Sequence, residues 1–475
     1  MTASGGTPRI VVVGGGLAGL SAAVECADSG AAVTLLEGRP RLGGATWSFS
    51  RHGLHFDNGQ HVHLRCCEAY RSWLDRLGTG HLAPIEGPLA IPVIRPSTGP
   101  DSGRPHAELA WIRRSNLPAP LHLARSLLCY RHLRLSERFK LLGPALRLRG
   151  VDLDDPQLDA ESFGAFLERH GQATGAINRL WDLITLPTTN LRAGDVSLSL
   201  AAKVFQTGLL TSAPAADIGW SRVPLADLHV EPAARLIARL GGEVIKRARV
   251  TEIRTDGGRV TGVATAGGAI AADAVVLATQ HQAAADLLPP ASRVDPAALR
   301  RLGTAPIVNV HVVFDRKVMG HQMAAAVDSP VQFVFDRTAA AGLDPSSGKQ
   351  VLAVSISGAD DVIGASPDSL IERYVTGLRE LFPVPRGTSP PKVLDAVVTR
   401  EHEATFRGAP GSRALRCGPA TGIENLSLAG AWTDTGWPAT MEGAVRSGRA
   451  AAAVALRSVG RHRSSSSPPR EEVPV

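Results

Sequence analysis

The sequence predicts an α/β protein with a Rossmann-type dinucleotide-binding domain into which a second, α+β domain is inserted. Three observations predict this fold class. A strand–turn–helix–strand unit stands near the start of the chain, a strand followed by a helix stands near its end, and long segments of other patterns lie between them. The chain has 475 residues, which is enough for about three domain-sized units and a large core.

The first unit begins with a buried strand at 9–13, and a second strand is predicted at 32–37. Between them, Gly14, Gly16 and Gly19 form the pattern GxGxxG at the entry to a helix. In this pattern the first glycine permits a tight turn, the second lets a pyrophosphate approach the backbone, and the third lets the helix pack against the strand. The unit therefore predicts a dinucleotide site.

Two further features of the unit support a bound dinucleotide. The first helical residues, Leu17 and Ala18, present N–H groups and a partial positive charge to phosphates. Glu37 ends the second strand, where an acid accepts the hydroxyl groups of the adenosine ribose.

The residues that follow, EGRPRLGG, resemble the continuation ExRxxxGG of flavoproteins in the amine oxidase and phytoene desaturase superfamily. The resemblance implies FAD as the cofactor. It implies that Arg39 supplies positive charge to the phosphates and that Gly43 and Gly44 meet the diphosphate and ribityl region. At Ala45 an arginine or lysine is common, so one cationic contact is missing. The resemblance also gives Val250 a backbone contact with the adenine.

A second cluster, GLHFDNGQHVH at 53–63, is rich in polar groups around Gly59. It is either an ordinary polar loop or a segment that lies against the flavin, with Gln60 and His61 near the ring or the substrate. No metal site is predicted, because His61 and His63 would point to opposite faces of a strand and no fitting third ligand is apparent.

A third cluster lies at 428–452, where a strand, a polar loop and a helix follow one another. In the flavoprotein superfamily this helix directs its N-terminus at the flavin pyrimidine ring. The resemblance therefore implies cofactor contacts at Gly430, Thr440 and Met441. A positive helix terminus there favours the reduced flavin and hydride chemistry.

A narrower resemblance covers about residues 9–455. The stretches DNGQHVHLRCCEAY and TDTGWPATMEGAVRSGR resemble the hydroxysqualene dehydroxylase family of flavoproteins, which is associated with squalene synthesis. Membership implies reduction of hydroxysqualene, a C30 isoprenoid, to squalene at the expense of FADH2. Other enzymes of the squalene pathway are possible neighbours of such a protein.

The chemistry that this resemblance implies needs apolar walls, exclusion of water and an acid or hydrogen-bond donor at the allylic hydroxyl. Asp434, Asp57 and His61 are the candidate acids. Trp437 and Trp47 either face an allylic cation with their rings or belong to ordinary packing.

The positive charge of the chain is concentrated in one segment. The net charge is +7, whereas residues 112–150 alone carry nine basic residues against the single acid Glu137. Leucines alternate with the basic residues, which suits either a solvated helical face or a surface that binds an anionic membrane. A hydrocarbon substrate favours the membrane. Nucleic acid is not an expected partner, because no aromatic platform accompanies the basic residues.

The expected location is the cytoplasm, at the inner face of the membrane. Five cysteines without CxxC spacing fit a reducing compartment, residues 1–8 do not read as a secretory signal, and no apolar stretch is long enough to span a bilayer.

The alternatives left open are a carotenoid-type desaturase of phytoene or squalene, an amine oxidase, and a non-catalytic flavoprotein that holds a neighbouring enzyme. The predicted division of the chain assigns 1–85, 223–290 and 415–458 to the FAD-binding domain, 86–222 and 291–414 to the substrate domain, and 459–475 to a disordered tail.

Overall fold

A computed structural model of the chain describes residues 6–98, 105–385 and 387–465. The strands are β1 (Arg9–Val13), β2 (Ala32–Glu37), β3 (Ser48–Arg51), β4 (Leu54–Asp57), β5 (Val62–Leu64), β6 (Ala90–Thr98), β7 (Pro105–Arg113), β8 (Ile218–Trp220), β9 (Glu243–Lys246), β10 (Val250–Asp256), β11 (Arg259–Thr265), β12 (Gly268–Ala271), β13 (Ala274–Leu277), β14 (Thr304–Phe314), β15 (Met323–Ala326), β16 (Phe333–Asp336), β17 (Gln350–Ser357), β18 (Val393–Phe406) and β19 (Leu426–Leu428).

The α-helices complete the architecture. They are α1 (Leu17–Asp28), α2 (Glu68–Leu77), α3 (Ala124–Leu128), α4 (Leu135–Lys140), α5 (Leu142–Arg149), α6 (Phe163–Arg169), α7 (Thr174–Ala176), α8 (Asp182–Thr189), α9 (Leu198–Phe205), α10 (Glu231–Arg239), α11 (His281–Leu287), α12 (Pro296–Arg301), α13 (Pro367–Leu381) and α14 (Met441–Ser465).

The nucleotide-binding domain is built on a parallel sheet of five strands in the order β19–β13–β1–β2–β9. Strand β1 is central, and Val11 pairs with Thr34 on one side and with Val275 on the other. Its strands are short apolar runs, as expected for a sheet covered on both faces. The last helix, α14, packs on α1 so closely that a side chain at Gly448 would collide with the carbonyl oxygen of Ala18. The two ends of the chain thus form one domain.

A second sheet of seven strands carries the inserted domain, in the order β18–β14–β17–β16–β15–β6–β7. Strands β14 to β18 come from one stretch of the chain, while β6 and β7 come from an earlier one. The long strand β14 pairs with β17 and β18, and β15 joins β6 in parallel. The predicted fold class is therefore confirmed.

Several local predictions need correction. The sequence of residues 86–220, in which Pro and Gly interrupt apolar stretches, predicts helices between breaks. Instead, β6 and β7 form a hairpin within this region, and β6 also pairs with β15, more than 200 residues away. The run EVIKRARV (243–250) predicts one strand. It is divided between two sheets, because the chain turns after β9 at Arg247, which adopts a positive φ of 59°.

The end of the chain also differs from the prediction. Helix α14 continues to Ser465, so residues 459–465 of the expected disordered tail are helical. The remainder of that tail lies outside the described residues. In the part of the chain that the structure describes, no helix is both long and apolar enough to cross a bilayer.

Candidate active site

The glycine-rich turn lies at the carboxyl end of β1. Gly14 has a φ of 109°, and a Cβ atom there would lie 2.5 Å from the carbonyl oxygen of Ala278. A Cβ atom at Gly19 would overlap the carbonyl oxygen of Gly14. Both positions therefore exclude a side chain for reasons internal to the fold.

Gly16 differs from the other two glycines, because a side chain added there would point into open space. An added Cβ atom would meet only the Cα of Gly44, at 3.7 Å, and Gly16 forms a bridge with Gly43. Helix α1 begins at the next residue, Leu17, and no side chain caps its N-terminus. The N–H groups of its first turn, including that of Ala18, are thus available beside this space, which is a cradle for an anion.

Glu37 lies beside the cradle at the end of β2. Its carboxylate accepts hydrogen bonds from the N–H of Gly15 at 2.7 Å and from that of Arg39 at 2.8 Å. Val250 begins β10 close by, because the N–H of Ala248 bonds to the carbonyl oxygen of Glu37. The predicted ribose, phosphate and adenine contacts are therefore neighbours, although the side chain of Arg39 is exposed, as is Ala45.

Arg41 was not among the predicted cofactor residues. Its guanidinium stacks 3.6 Å from the ring centroid of Trp47, and its Nη1 atom is buried without a partner. Burial lowers the pKa of Arg41. Arg41 belongs to the same EGRPRLGG motif as Arg39, so its place at the cofactor site could have been predicted from this motif.

Unpartnered buried polar atoms test whether the site fits a dinucleotide. Thr279, just after β13, has a buried hydroxyl without a hydrogen-bond partner. The Nε2 atom of Gln60 and the Oδ1 atom of Asn309 are also buried without a partner. Buried polar groups are almost always hydrogen-bonded, so these atoms require partners that the protein does not supply. Phosphates, ribityl hydroxyls and ring carbonyls of FAD supply such partners, and the residues present fit this group.

The polar loop at Asn58 and Gly59 is fixed to the sheet of the inserted domain. The carbonyl oxygen of Asn58 accepts hydrogen bonds from Thr399 Oγ1 at 2.6 Å and from Asn309 Nδ2 at 3.1 Å. Glu401 Oε1 accepts from Asn58 Nδ2 at 2.9 Å and from Trp47 Nε1 at 2.8 Å. The loop is therefore the junction of the two domains.

Asp57, a predicted acid, is enclosed by donors. Its carboxylate accepts from Ser48 Oγ at 2.7 Å and from the N–H of Leu225 at 2.9 Å, and it pairs with Arg337 at 3.0 Å. Both members of the ion pair are buried. The carboxylate of Asp57 is therefore occupied by donors of the protein itself.

His61 is half-buried, with its Nδ1 atom 3.1 Å from the carbonyl oxygen of Gly59. Burial lowers the pKa of His61, so the ring is neutral at neutral pH. Since a carbonyl oxygen only accepts, Nδ1 carries the hydrogen and Nε2 is the acceptor. His61 is thus arranged to accept a hydrogen bond and not to donate a proton from Nε2.

A cavity of about 10 Å³, roughly the space of one water molecule, lies beside Asp57 and Arg337. Gln60 and His311 also line it, and each has a buried Nε2 atom without a partner. Burial lowers the pKa of His311 to about 4. His311 and Arg337 were not predicted as site residues, because His311 lies within strand β14 and Arg337 directly follows strand β16, where no local motif marks them.

The C-terminal loop runs from Gly430 to the start of α14. The N–H of Gly430 bonds to Ser447 Oγ at 2.9 Å, and Thr440 caps the helix by accepting from the N–H of Gly443 at 3.2 Å. The helix begins at Met441, whose N–H has no acceptor among the described residues. Glu442 points away and accepts from the first N–H groups of α2.

The remaining predicted catalytic residues lie on this loop. Asp434 is exposed, and its carboxylate accepts only from the N–H of Gly436, at 3.3 Å, among the described residues. Trp437 is half-buried, with Arg446 5.1 Å and Lys203 5.6 Å from its ring. Because this ring and that of Trp47 already face cations of the protein, their positions are explained without a cation on the substrate.

Comparison with known proteins places these features in a family. The model of the flavin containing amine oxidoreductase family matches residues 17–456. The chain is 30% identical to the hydroxysqualene dehydroxylase of Sinorhizobium fredii, covering 94% of this chain and 98% of that protein. It is 28% identical to the enzyme of the same name from Rhodopseudomonas palustris, covering 94% and 97%. It is 27% identical to a probable zeta-carotene desaturase of Synechococcus elongatus, covering 94% and 98%.

Solved structures show the same fold at lower identity. An oxidoreductase from Methanosarcina mazei has a TM-score of 0.68 at 17% identity, covering 93% of this chain and 98% of that one. Cyclohexylamine oxidase from Brevibacterium oxydans has a TM-score of 0.67 at 20% identity, covering 95% and 99%. The chain belongs to the flavin-containing amine oxidoreductase family and is an FAD-dependent oxidoreductase.

Proposed function

We propose that the chain reduces hydroxysqualene to squalene with electrons from FADH2. The observation that carries this proposal is the similarity to hydroxysqualene dehydroxylases along almost the whole chain. The reaction breaks the allylic C–O bond, releases the hydroxyl as water after it gains a proton, and forms a C–H bond at the same allylic system.

When bound, FADH2 supplies a hydride for this reaction. The residues of the chain have to bind the alcohol, orient it and give a proton to the leaving oxygen. His61 fits the orienting role, because its neutral ring keeps Nε2 as an acceptor for the substrate hydroxyl. Asp57 is a positioning residue, since its carboxylate holds Arg337 and the N–H of Leu225 and so shapes the loop before Gly59.

We assign to Asp434 the transfer of a proton to the leaving oxygen of the substrate. Of the three candidate acids, it alone is neither buried in an ion pair nor arranged as a neutral acceptor. It lies on the loop that joins Gly430 to α14, so a substrate bound against this loop would cover it and exclude water.

We also propose that the basic segment 112–150 binds an anionic membrane, from which a C30 hydrocarbon alcohol is taken. Helices α3 to α5 lie in this segment and leave apolar side chains in solvent between exposed arginines. Buried residues attach the segment to the rest of the protein. Tyr130 donates to the carbonyl oxygen of Arg179, and His132 Nε2 lies 2.9 Å from the carbonyl oxygen of Val93. Within the segment 112–150, the large apolar side chains that are exposed are Leu117, Leu121, Leu128, Leu135, Phe139, Leu142 and Leu146.

This combination suits an interface between water and anionic lipid. Exposed leucine and phenylalanine side chains gain by burial among acyl chains, while the arginines remain at the headgroups. Membrane binding is tested with vesicles and the hydrocarbon substrate by product formation, so the two proposals are tested independently.

A carotenoid-type desaturase is the second candidate, because the probable zeta-carotene desaturase of Synechococcus elongatus matches the same share of the chain, 94%, at slightly lower identity. It would carry flavin chemistry in the opposite direction, with oxidised FAD accepting electrons from a polyene precursor.

The experiment that separates the two uses one enzyme preparation under two conditions. Photoreduced holoenzyme receives hydroxysqualene without oxygen, and oxidised holoenzyme receives phytoene or zeta-carotene with a quinone acceptor. We expect squalene in the first reaction, in one-to-one proportion with flavin reoxidised. Absence of squalene together with desaturation in the second reaction would overturn the proposal in favour of the desaturase.

A further inference from the structure

Arg416 is a buried guanidinium whose partners are backbone carbonyl groups. Its Nε atom donates to the carbonyl oxygen of Trp432 at 3.1 Å, and its Nη2 atom donates to those of Thr433 at 2.5 Å and Trp437 at 2.9 Å. Only 9% of its surface is exposed, and its guanidinium carbon lies 4.6 Å from the ring centroid of Phe406.

No carboxylate in the described part of the chain forms an ion pair with Arg416. Asp434 and Asp159 act on it only through space. A buried charge is normally paired, because removing a charge from water without a partner is strongly unfavourable. The burial lowers the pKa of Arg416 to about 10, so the group remains charged at neutral pH.

Arg416 also orders the loop that it contacts. By drawing the carbonyl oxygens of residues 432, 433 and 437 to one side, it fixes which polar groups of the loop remain free. The N–H groups of Ala431, Trp432 and Met441 have no acceptor among the described residues. The loop therefore offers hydrogen-bond donors in a region that holds a positive charge without a counter-ion.

The strand order indicates what occupies this region. Glu37, on β2, and the glycine-rich turn after β1 mark the adenosine and pyrophosphate portions of the dinucleotide. In the order β19–β13–β1–β2–β9, the ends of β13 and β19 lie on the other side of that turn. The unpartnered hydroxyl of Thr279 follows β13, and its carbonyl oxygen accepts from Trp432 Nε1 at 2.9 Å. A dinucleotide bound with its adenosine at Glu37 would therefore have its other half on the side of this loop.

We propose that Arg416 is a positioning residue for the flavin: it holds the loop 431–437 in the shape that presents its N–H groups, and its unpaired charge favours the reduced cofactor. A positive charge near a flavin stabilises the form that carries added electron density. This proposal rests on flavin binding, which family membership establishes, and not on the identity of the isoprenoid.

Three variants of the full chain test the proposal. R416Q removes the charge and keeps a hydrogen-bond donor, R416K keeps the charge, and R413Q is the matched control, because Arg413 lies three residues away and donates to the carbonyl oxygen of Leu153. The readout is the two-electron midpoint potential of bound FAD, titrated against a reference dye with FAD in excess. No isoprenoid is present, so the result does not depend on the proposed substrate.

We expect R416Q to lower the preference for reduced over oxidised FAD about tenfold, which is about 30 mV for a two-electron couple. R416K should stay within about threefold of the unmodified chain, and R413Q should not differ from it. R416Q with bound FAD and an unchanged potential would overturn the proposal. If R416Q does not fold, R416M replaces it: a tenfold loss supports the role of the charge, and an unchanged potential in folded, FAD-loaded R416M overturns the proposal.

Discussion

Arg337 and Asp57 form a buried ion pair, with 3.0 Å between Nη2 and Oδ2, that joins the inserted domain to the polar loop of the nucleotide-binding domain. Arg337 follows strand β16, and Asp57 ends strand β4, two residues before Gly59. The guanidinium also donates to the carbonyl oxygens of Ser221 and Val223. This pair therefore adds to the hydrogen bonds of Asn58 in holding the second sheet over the cofactor site.

The first prediction concerns that ion pair. Asp57→Asn leaves the guanidinium of Arg337 buried without a counter-charge, which costs about 3–5 kcal/mol of unfolding free energy. Urea denaturation of the apoprotein measures this. Asp395→Asn is the matched control: Asp395 pairs with Arg51 at the surface, and we expect a cost below about 1 kcal/mol. Unchanged stability in Asp57→Asn, with turnover abolished, would instead indicate that Asp57 is the acid.

The second prediction separates cofactor binding from folding. Gly16→Val places a side chain in the open space beside Gly44, where the fold tolerates it but a pyrophosphate does not. We expect a folded apoprotein with at least about 100-fold weaker affinity for FAD, the order of a lost anion cradle with several charge-assisted hydrogen bonds.

The control for this prediction is Gly19→Ala, which should destabilise the apoprotein itself because its Cβ atom meets the carbonyl oxygen of Gly14. Differential scanning fluorimetry with and without FAD distinguishes the two outcomes. A Gly16→Val chain that purifies yellow, with full flavin content, would contradict the assignment of the cradle.

The sequence predicts those parts of the site whose residues lie close together along the chain. The glycine turn and Glu37 form one short unit whose spacing is read directly from the chain, and the structure has this unit as expected. Arg337, His311 and Glu401 were not predicted, because each reaches the polar loop from a strand of the second sheet, more than 200 residues further along the chain.

The same reason explains the error in the region 86–220. Strand β6 contains Pro92 and Pro96, and proline is typical of a break between helices. Its parallel partner β15 lies far along the chain, so no local pattern marks the pairing. A short apolar run does not by itself distinguish a buried strand from a helix.

The third prediction is a loss of stability on mild acidification. Burial lowers the pKa of His229 to about 3 and that of His63 to about 4, whereas in the unfolded chain histidines titrate near about 6.5. Between those values the unfolded chain binds protons that the folded chain does not, so stability falls as the pH falls. Each such histidine should remove about 2 kcal/mol between pH 7 and pH 5.

Urea denaturation at the two pH values measures this effect. In His229→Gln the difference between pH 7 and pH 5 should shrink by about 2 kcal/mol, while the exposed His402 provides the control His402→Gln with an unchanged difference. An identical pH dependence in His229→Gln and the unmodified chain would show that His229 is accessible to protons in the folded state.

The fourth prediction concerns the proton at the leaving oxygen. Asp434→Asn removes a general acid and should slow flavin reoxidation by hydroxysqualene about 10²–10⁴-fold at unchanged FAD content. Stopped-flow spectroscopy of reduced enzyme in a single turnover measures the step. Asp256→Asn, at the exposed last residue of β10, is the control. A rate within twofold of the unmodified enzyme would remove Asp434 from the mechanism.

The fifth prediction concerns the membrane surface. Phe139 and Leu142 are 66% and 56% exposed, and Phe139→Ser with Leu142→Ser removes two side chains that gain from burial among acyl chains. Burying each contributes about 1.5–3 kcal/mol, so the double variant should bind phosphatidylglycerol vesicles at least about 100-fold more weakly. Leu394→Ser is the matched control, because Leu394 is 51% exposed on β18, outside the segment.

The charges of the same segment should act independently of its apolar side chains. Reversing Arg125, Arg131 and Arg134 to Glu removes about 1 kcal/mol per arginine at an anionic surface and adds repulsion. Binding to phosphatidylglycerol vesicles should therefore fall at least about 100-fold and depend less on the salt concentration. Turnover of detergent-dispersed hydroxysqualene should be retained, since none of the three touches the cofactor site. Vesicle co-sedimentation unchanged in both the serine and the glutamate variants would rule out this face as the membrane surface, because exposed apolar and basic groups that bind lipid cannot both be replaced without effect.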